Sequence, residues 1–371
     1  MISPGFSGTP GPAQGPGSRI QSRPTTGALV DAIGEAMAES LCLAALAPSS
    51  HNTQPWLVLA HSPHHWSLAL APDRRLPAVD PADHEALVSL GAFLENLLVS
   101  ARGLGVDIEI EGYGTRPDDP EVVRLSLHKG GRPFPCMTGS VVSRRTLRTP
   151  FREDPLPPAD LAALSEGVPG LTWVPGGSPE ADRIRDLVAG AARRQFERED
   201  AQAELADWLR WSKDEVTAHR DGLTPAGLGL DPLARWWAER FFSHDTALSG
   251  PFRRQSARRI SKIAGACGGW MIVSALAPGV AGSVEAGRAL ERVFLRARGL
   301  KLGVHPMSQP LEEPGWRSEM ESMLGSVGYP RVLLRIGYVD HYPPPVSPRL
   351  PPTAFTRVLF PSHVTTGRTL S

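Results

Sequence analysis

The 371 residues exceed what one ordinary domain buries around a single core and suit two units of roughly 150 to 200 residues each. Thirty-nine Lys and Arg residues balance thirty-nine Asp and Glu, so no global field draws the chain to nucleic acid or to an anionic membrane, and a small molecule is the better partner. Cys42, Cys136 and Cys267 lie far apart with no C-x-x-C spacing, which argues against a disulfide framework and a structural zinc site and fits a reducing cytoplasm.

Residues 1–27 are loaded with Gly, Pro, Ser and Thr, contain no apolar core of signal-peptide length and read as a disordered arm. Over 28–47 the apolar positions Leu29, Ile33, Met37, Leu41 and Ala44 recur at helical spacing, and Pro48 ends the helix. The loop that follows, Pro48-Ser49-Ser50-His51-Asn52-Thr53-Gln54-Pro55-Trp56, carries more hydrogen-bonding side chains than a turn needs. Asn52 is one of only two asparagines in the chain, and its amide offers both a donor and an acceptor. A capped turn leading into a buried strand is the plainer account of the same residues.

Strands are expected at 56–60 and 66–70, a hairpin around His61, His64 and His65; with no carboxylate nearby these histidines make a weak metal set, and no metal is expected. Asp80, Pro81 and Asp83 supply an N-cap, a first-turn proline and a first-turn acid for a helix running to about 104, where Gly103 and Gly105 stop it. Strands follow at 106–111 and 122–127. A short helix over 139–147 then carries Arg144-Arg145-Thr146-Leu147-Arg148, with Arg144 and Arg148 on one face at i, i+4 spacing. Three guanidinium groups beside a hydroxyl suit an anion, phosphate above all, although a solvated basic helix end is the alternative.

Gly91-Ala-Phe-Leu94-Glu95 leading to Ala101-Arg102-Gly103-Leu104 recurs, at one constant spacing, as Gly287-Arg-Ala-Leu290-Glu291 leading to Ala297-Arg298-Gly299-Leu300. This is the mark of an internal repeat. The span 181–266 has no partner in the first copy and reads as a helical insertion, with helices at 184–211 and 231–242 around the breaker 221–225. Four of the nine tryptophans lie in it, Trp208, Trp211, Trp236 and Trp237, either as a hairpin burying its own aromatics or as a cover over a planar ring. After it come a strand at 270–275, the repeated helix, a helix at 316–324 and a strand at 332–339. The proline-rich stretch 342–352 should run extended across a surface. No run of about 18 apolar residues suggests a membrane span. Serine-hydrolase elbows, dinucleotide fingerprints and P-loops are missing from the sequence.

The P-S-x-x-N-x-Q-P-W loop and the R-R-T-x-R segment together resemble the nitroreductase family of FMN proteins, and their single occurrence in one long chain resembles the fused, single-chain Acg type most. The resemblance implies an α+β, nitroreductase-like fold built twice as a pseudo-dimer, with mixed or antiparallel sheets flanked by helices. The halves would be 28–135 and 136–371, the second carrying the insertion. One FMN is implied between them, with Arg144, Arg145, Thr146 and Arg148 at the phosphate and ribityl chain and Pro48, Ser49, Ser50 and Asn52 at ribityl and ring. Arg349 is similar to a C-terminal arginine that returns to the phosphate. Typical members carry P-x-E-G beside the ring; here the matching stretch is Gly303-Val304-His305-Pro306-Met307-Ser308-Gln309, where Ser308 replaces the acid and Gln309 the glycine. The activity implied is transfer of a hydride from NAD(P)H through the flavin to a nitroaromatic, quinone or similar electrophile. The cofactor makes the bonds, so no catalytic side chain is expected. A flavin-sequestering protein with little turnover is the alternative, and a non-flavin interaction protein the third reading. A monomer free of nucleic-acid and membrane partners is expected.

Overall fold

A computed structural model of the chain describes residues 26–131, 138–325 and 328–361. Nearly all of the N-terminal arm, Cys136 and the expected junction at 135/136 fall outside the described residues. The first part runs α1 (Thr26–Ile33), α2 (Glu35–Ala44), β1 (Trp56–Ala60), β2 (His65–Leu70), α3 (His84–Gly103), β3 (Val106–Tyr113) and β4 (Val123–Lys129). Next come α4 (Thr138–Ser143), α5 (Pro158–Ser165) and β5 (Leu171–Pro175), then, over the segment expected to be an insertion and termed the insertion, α6 (Pro179–Glu197), α7 (Glu199–Asp207), α8 (Lys213–His219), α9 (Pro232–Phe241), α10 (His244–Leu248) and α11 (Gly250–Ala264). The chain continues with β6 (Gly269–Ala275), α12 (Gly279–Gly299), β7 (Leu302–Pro306), α13 (Gln309–Glu312), α14 (Pro314–Leu324), β8 (Tyr329–Tyr338), α15 (Pro352–Phe355) and β9 (Thr356–Val358).

Helices and sheets are mixed in the α+β manner expected. One sheet has five strands in the order β3-β4-β2-β1-β9, antiparallel except where β9 lies parallel to β1. The other has four antiparallel strands in the order β5-β6-β8-β7. The apolar residues of β1 alternate inward, Trp56, Val58 and Ala60 all being buried, whereas β6 is buried along its whole length. Although β9 belongs to the C-terminal end of the chain, it completes the first sheet rather than the second.

The helices α3 and α12 pack together at the centre of the molecule, and the contact is symmetric in sequence. A Cβ on Gly91 would lie 2.0 Å from the Val284 carbonyl oxygen, and one on Gly287 would lie 2.0 Å from that of Val88. Only glycine allows backbones this close. Val284 of α12 joins the apolar core under the first sheet, and Val88 of α3 joins that of the second. Beside the crossing, Glu95 of α3 accepts bonds from Arg288 and Arg292 of α12 at 2.7 to 3.1 Å. Glu291, its counterpart in the repeat, is fully buried and pairs with Arg144 at 3.2 Å. Among the described residues α3 alone is long and apolar enough to cross a bilayer, and it is a buried core helix here.

Four local expectations need correction. The first helix is broken at Gly34, whose φ of 82° interrupts the helical backbone. Asp83, in the left-handed region, precedes α3 in place of Asp80, which instead accepts a bond from the Ala86 N–H at 2.9 Å. The helix expected over 139–147 stops at Ser143, so Arg144 and Arg148 do not share a helix face. The one expected over 184–211 is divided at Arg198, whose extended backbone separates α6 from α7.

Candidate functional site

The loop after α2 is wound tightly: His51, Asn52 and Gln54 all have φ near 50°, a conformation costly for residues with a Cβ. Long-range bonds hold it. Asn52 Nδ2 donates to the carbonyls of Gly222 at 3.0 Å and Pro348 at 3.1 Å, while its Oδ1 accepts from Arg349. Gln54 Nε2 donates to Arg220 O at 3.0 Å, and Gln54 Oε1 accepts from the Leu350 N–H at 2.9 Å. The loop thus ties the insertion and the proline-rich tail to the first sheet, and Asn52 has both ends of its amide committed to protein.

Arg349 also donates to Leu46 O at 3.1 Å and Ala47 O at 3.2 Å, and Arg144 donates to the same Leu46 carbonyl. Asn52, Arg144 and Arg349 therefore meet in one buried knot that includes Glu291. Burial pushes the Glu291 carboxyl up to about 7 against the pull of Arg144, and burial beside Arg144 lowers Arg349 to about 9 against the pull of Glu291. Arg145 turns the other way, donating to Pro344 O at 2.8 Å and Ala226 O at 3.3 Å.

Pro48, Ser49, Ser50, Thr146 and Arg148 line a cavity of about 980 Å³. Its floor comes from Val88 and Ser89 of α3, Leu290 of α12, His305 and Pro306 of β7, and Ser308, Gln309 and Glu312 beyond it. The insertion contributes the rest of the lining, chiefly apolar and aromatic residues, with Gln202, Asp231 and Arg259 among its polar ones. Of the sequence-derived candidates, Asn52, Arg144, Arg145 and Arg349 stand behind this wall and brace it rather than forming its surface.

One end of the cavity is cationic. Arg148 donates to Gly227 O at 2.9 Å and Arg259 to Gly229 O at 2.6 Å, and neither forms an ion pair with a carboxylate among the described residues. Burial, with Arg145 and Arg259 nearby, lowers Arg148 to about 10. Burial and then Arg148 lower His51 to about 4; burial and then Arg335, Arg148 and Arg259 hold His305 well below the usual histidine range. Both imidazoles are neutral at pH 7, so the positive charge rests on the two guanidiniums, with the α9-capping carboxylate of Asp231 acting on Arg259 from the same lining. Arg259 and His305 do not stand out individually in the sequence; in a chain with only four lysines, one arginine among the four of α11 carries no signal until the fold points it inward.

At the floor sits a group of acids. Glu85 accepts from Ser50 Oγ at 2.5 Å and Glu312 from Gln195 Nε2 at 2.5 Å. Burial raises both carboxyls, Glu312 adding to the rise of Glu85 and Asp80 to that of Glu312, while burial and then Glu85 push Asp80 up to about 7. Such groups hold protons in the folded state that they lose on unfolding, so the stability they contribute is complete below the ordinary carboxylate range and is lost as pH rises through about 7. His51 and His84, both lowered to about 4, act in the opposite sense, their contribution being lost as pH falls through that value. Above the ordinary histidine range only the carboxyls still titrate. The free energy of unfolding is therefore expected to fall by on the order of 1–2 kcal/mol between pH 6.5 and 8, and the Glu85→Gln, Glu312→Gln double variant to flatten that slope in urea titrations. An equal fall in the double variant would assign the effect to other groups.

Comparison with known proteins bears on this arrangement. No family model matches the chain. The chain is 26% identical over 326 residues, 83% of its own length and 87% of the relative's, to "Putative NAD(P)H nitroreductase Rv3131" of Mycobacterium tuberculosis. It is 25% identical over 334 residues, 83% and 91% of the two chains, to "Putative NAD(P)H nitroreductase acg" of the same organism. Over most of its length the chain is thus similar to proteins named as NAD(P)H nitroreductases, acg among them. "Probable NAD(P)H nitroreductase PigM" of a Serratia strain is 23% identical over 235 residues, 57% of this chain and 65% of that protein. The two mycobacterial alignments take in most of this chain.

Proposed function

We propose that the cavity holds FMN and that the protein is a nitroreductase-type oxidoreductase using NAD(P)H, its two nitroreductase-like halves fused into one pseudo-dimeric, cytoplasmic monomer. The unpaired guanidiniums of Arg148 and Arg259 carry this reading. Two partly or wholly buried cations, neither in an ion pair among the described residues, suit a ligand that brings its own negative charge, and a phosphate monoester does so. Thr146, Ser49 and Ser50 add hydroxyls for a polyol, and Val88, Leu290 and Pro306 give an apolar bed for a flat ring. The donor set fits the group.

When bound, the flavin supplies two-electron chemistry between a reduced nicotinamide and an electrophile such as a nitroaromatic or quinone. The protein's own work is binding and exclusion of water. Arg148 and Arg259 neutralise the phosphate, the Ser49–Ser50 segment meets the polyol, and Ser308 and Gln309 stand where the family's acid and glycine would be. Arg144, Arg349 and Asn52 hold that loop in register. The insertion supplies much of the cavity's lining, and this observation favours the second reading, in which flavin is stored with little turnover.

Anaerobic spectroscopy tests both. The purified protein is expected to show a flavin band that bleaches on addition of NADPH; a band that persists would mean storage. A colourless protein that takes up no added FMN would remove both flavin readings and leave a non-flavin interaction protein.

A further inference from the structure

The cavity is divided in chemistry beyond what a flavin alone uses. At about 980 Å³ it lies at the top of the ~300–1,000 Å³ range of ligand pockets, and its two walls differ in chemistry. Ser49, Ser50, Thr146, Arg148 and His305 line the polar wall. The facing arm is formed by Leu209, Trp211, Leu223, Leu230, Phe242 and Phe252 of the insertion. This arm has a core of its own behind it: Trp211 packs edge-on against Phe242 and Phe252 at 5.2 and 5.9 Å, and Ala206, Ala238 and Ala247 close the cluster. Its surface therefore stays in place when nothing occupies it. The arm leads outward to a lip where Leu233, Trp236 and Trp237 line the same cavity while remaining 75%, 57% and 53% exposed. An apolar channel open to solvent at such a lip binds water poorly and hydrocarbon well.

We propose that the arm receives the hydrocarbon tail of the electron acceptor, so that the preferred substrate is an amphiphile: a redox-active ring, such as a quinone, bearing a long alkyl or prenyl chain. This deepens the oxidoreductase reading and rests on it for turnover alone. The ring lies beside the flavin, and the chain runs along Leu230, Leu209 and Trp211 to the lip. In the reaction the reduced nicotinamide gives up two electrons and one proton, a second proton comes from solvent, and the quinone becomes a quinol as the nicotinamide is oxidised.

Three benzoquinones with the same ring and no tail, a pentyl tail or a decyl tail distinguish the cases, with binding measured by equilibrium dialysis and turnover measured separately. Each buried methylene is worth about fourfold in affinity, and ordering the chain offsets part of that. The decyl compound should therefore bind at least about tenfold more tightly than the tail-less one, with the pentyl compound between them. Leu230→Gln should flatten the series while leaving affinity for the tail-less quinone unchanged; Leu233→Gln at the exposed lip, where folding is not at risk, should weaken the decyl compound alone. Equal affinity across the series in the wild-type protein overturns the proposal, as does a tail dependence that both variants retain. Tight binding of the decyl quinone with no turnover would sink the oxidoreductase reading and leave the arm standing. Turnover of all three at one KM would do the reverse.

Discussion

Gly91→Ala is expected to destabilise the protein by about 3 kcal/mol or more, although alanine is the better helix former by about 1 kcal/mol. The new methyl would lie 2.0 Å from the Val284 carbonyl oxygen and 2.9 Å from the Gly287 Cα. Those are backbone atoms and cannot rotate away, so α3 and α12 must separate. Their separation withdraws Val284 from the core of the first sheet and Val88 from that of the second, so the damage reaches both. Gly287→Ala should cost as much, its Cβ meeting the Val88 carbonyl at the same 2.0 Å. Gly299→Ala is the control, because nothing lies within 4 Å of the Cβ it would add. Urea midpoints decide the matter: wild-type values for Gly91→Ala would mean that the two helices tolerate a wider crossing.

Arg148→Met should act in opposite directions on stability and on binding. In the free protein Arg148 is a buried cation lowered to about 10 by burial and by Arg145 and Arg259, and its removal relieves that repulsion. Ligand-free Arg148→Met is expected to melt at or above the wild-type temperature, a gain on the order of 1 kcal/mol. A charge-assisted bond to phosphate contributes about 1.5–3 kcal/mol, so FMN affinity should fall about 10- to 100-fold. Riboflavin, which lacks the phosphate, separates the two effects: its affinity should barely change. Arg259→Met should behave in the same way. A variant that loses stability together with affinity for both flavins would show that Arg148 braces the fold instead. Arg144→Ala should differ from both by leaving Glu291 buried without its partner, and so destabilise the ligand-free protein.

These expectations show where the sequence was readable. Strand positions such as Trp56, Val58 and Ala60 announce themselves by alternation, and the repeat around Gly91 and Gly287 was visible as two identical punctuation marks in two apolar helices. That the two glycines touch one another was not, because spacing along the chain says nothing about which helices cross. The R-R-T-x-R segment was rightly read as rich in guanidinium, but its three side chains diverge once α4 ends at Ser143: Arg144 to Glu291, Arg145 to the tail and Arg148 to the cavity. Local spacing assigns a shared face only while the helix lasts. The acids Glu85 and Glu312 escaped notice for a related reason, since each is an ordinary helical glutamate until folding removes its water. Arg259 is the sharpest case, one arginine of four on an amphipathic helix.

The placement of β9 beside β1 bears on how the molecule is made. Strand pairing between Val58 and Thr356 joins residues separated by nearly the whole chain, and Arg349 reaches Asn52 over a similar span. During synthesis the first sheet must wait, its outer edge bare, until the ribosome has delivered almost everything else. Contacts of such long range form late and slowly. The pocket's back wall is thus closed only once residues 349–358 have been made, and any ligand it holds is captured after that point.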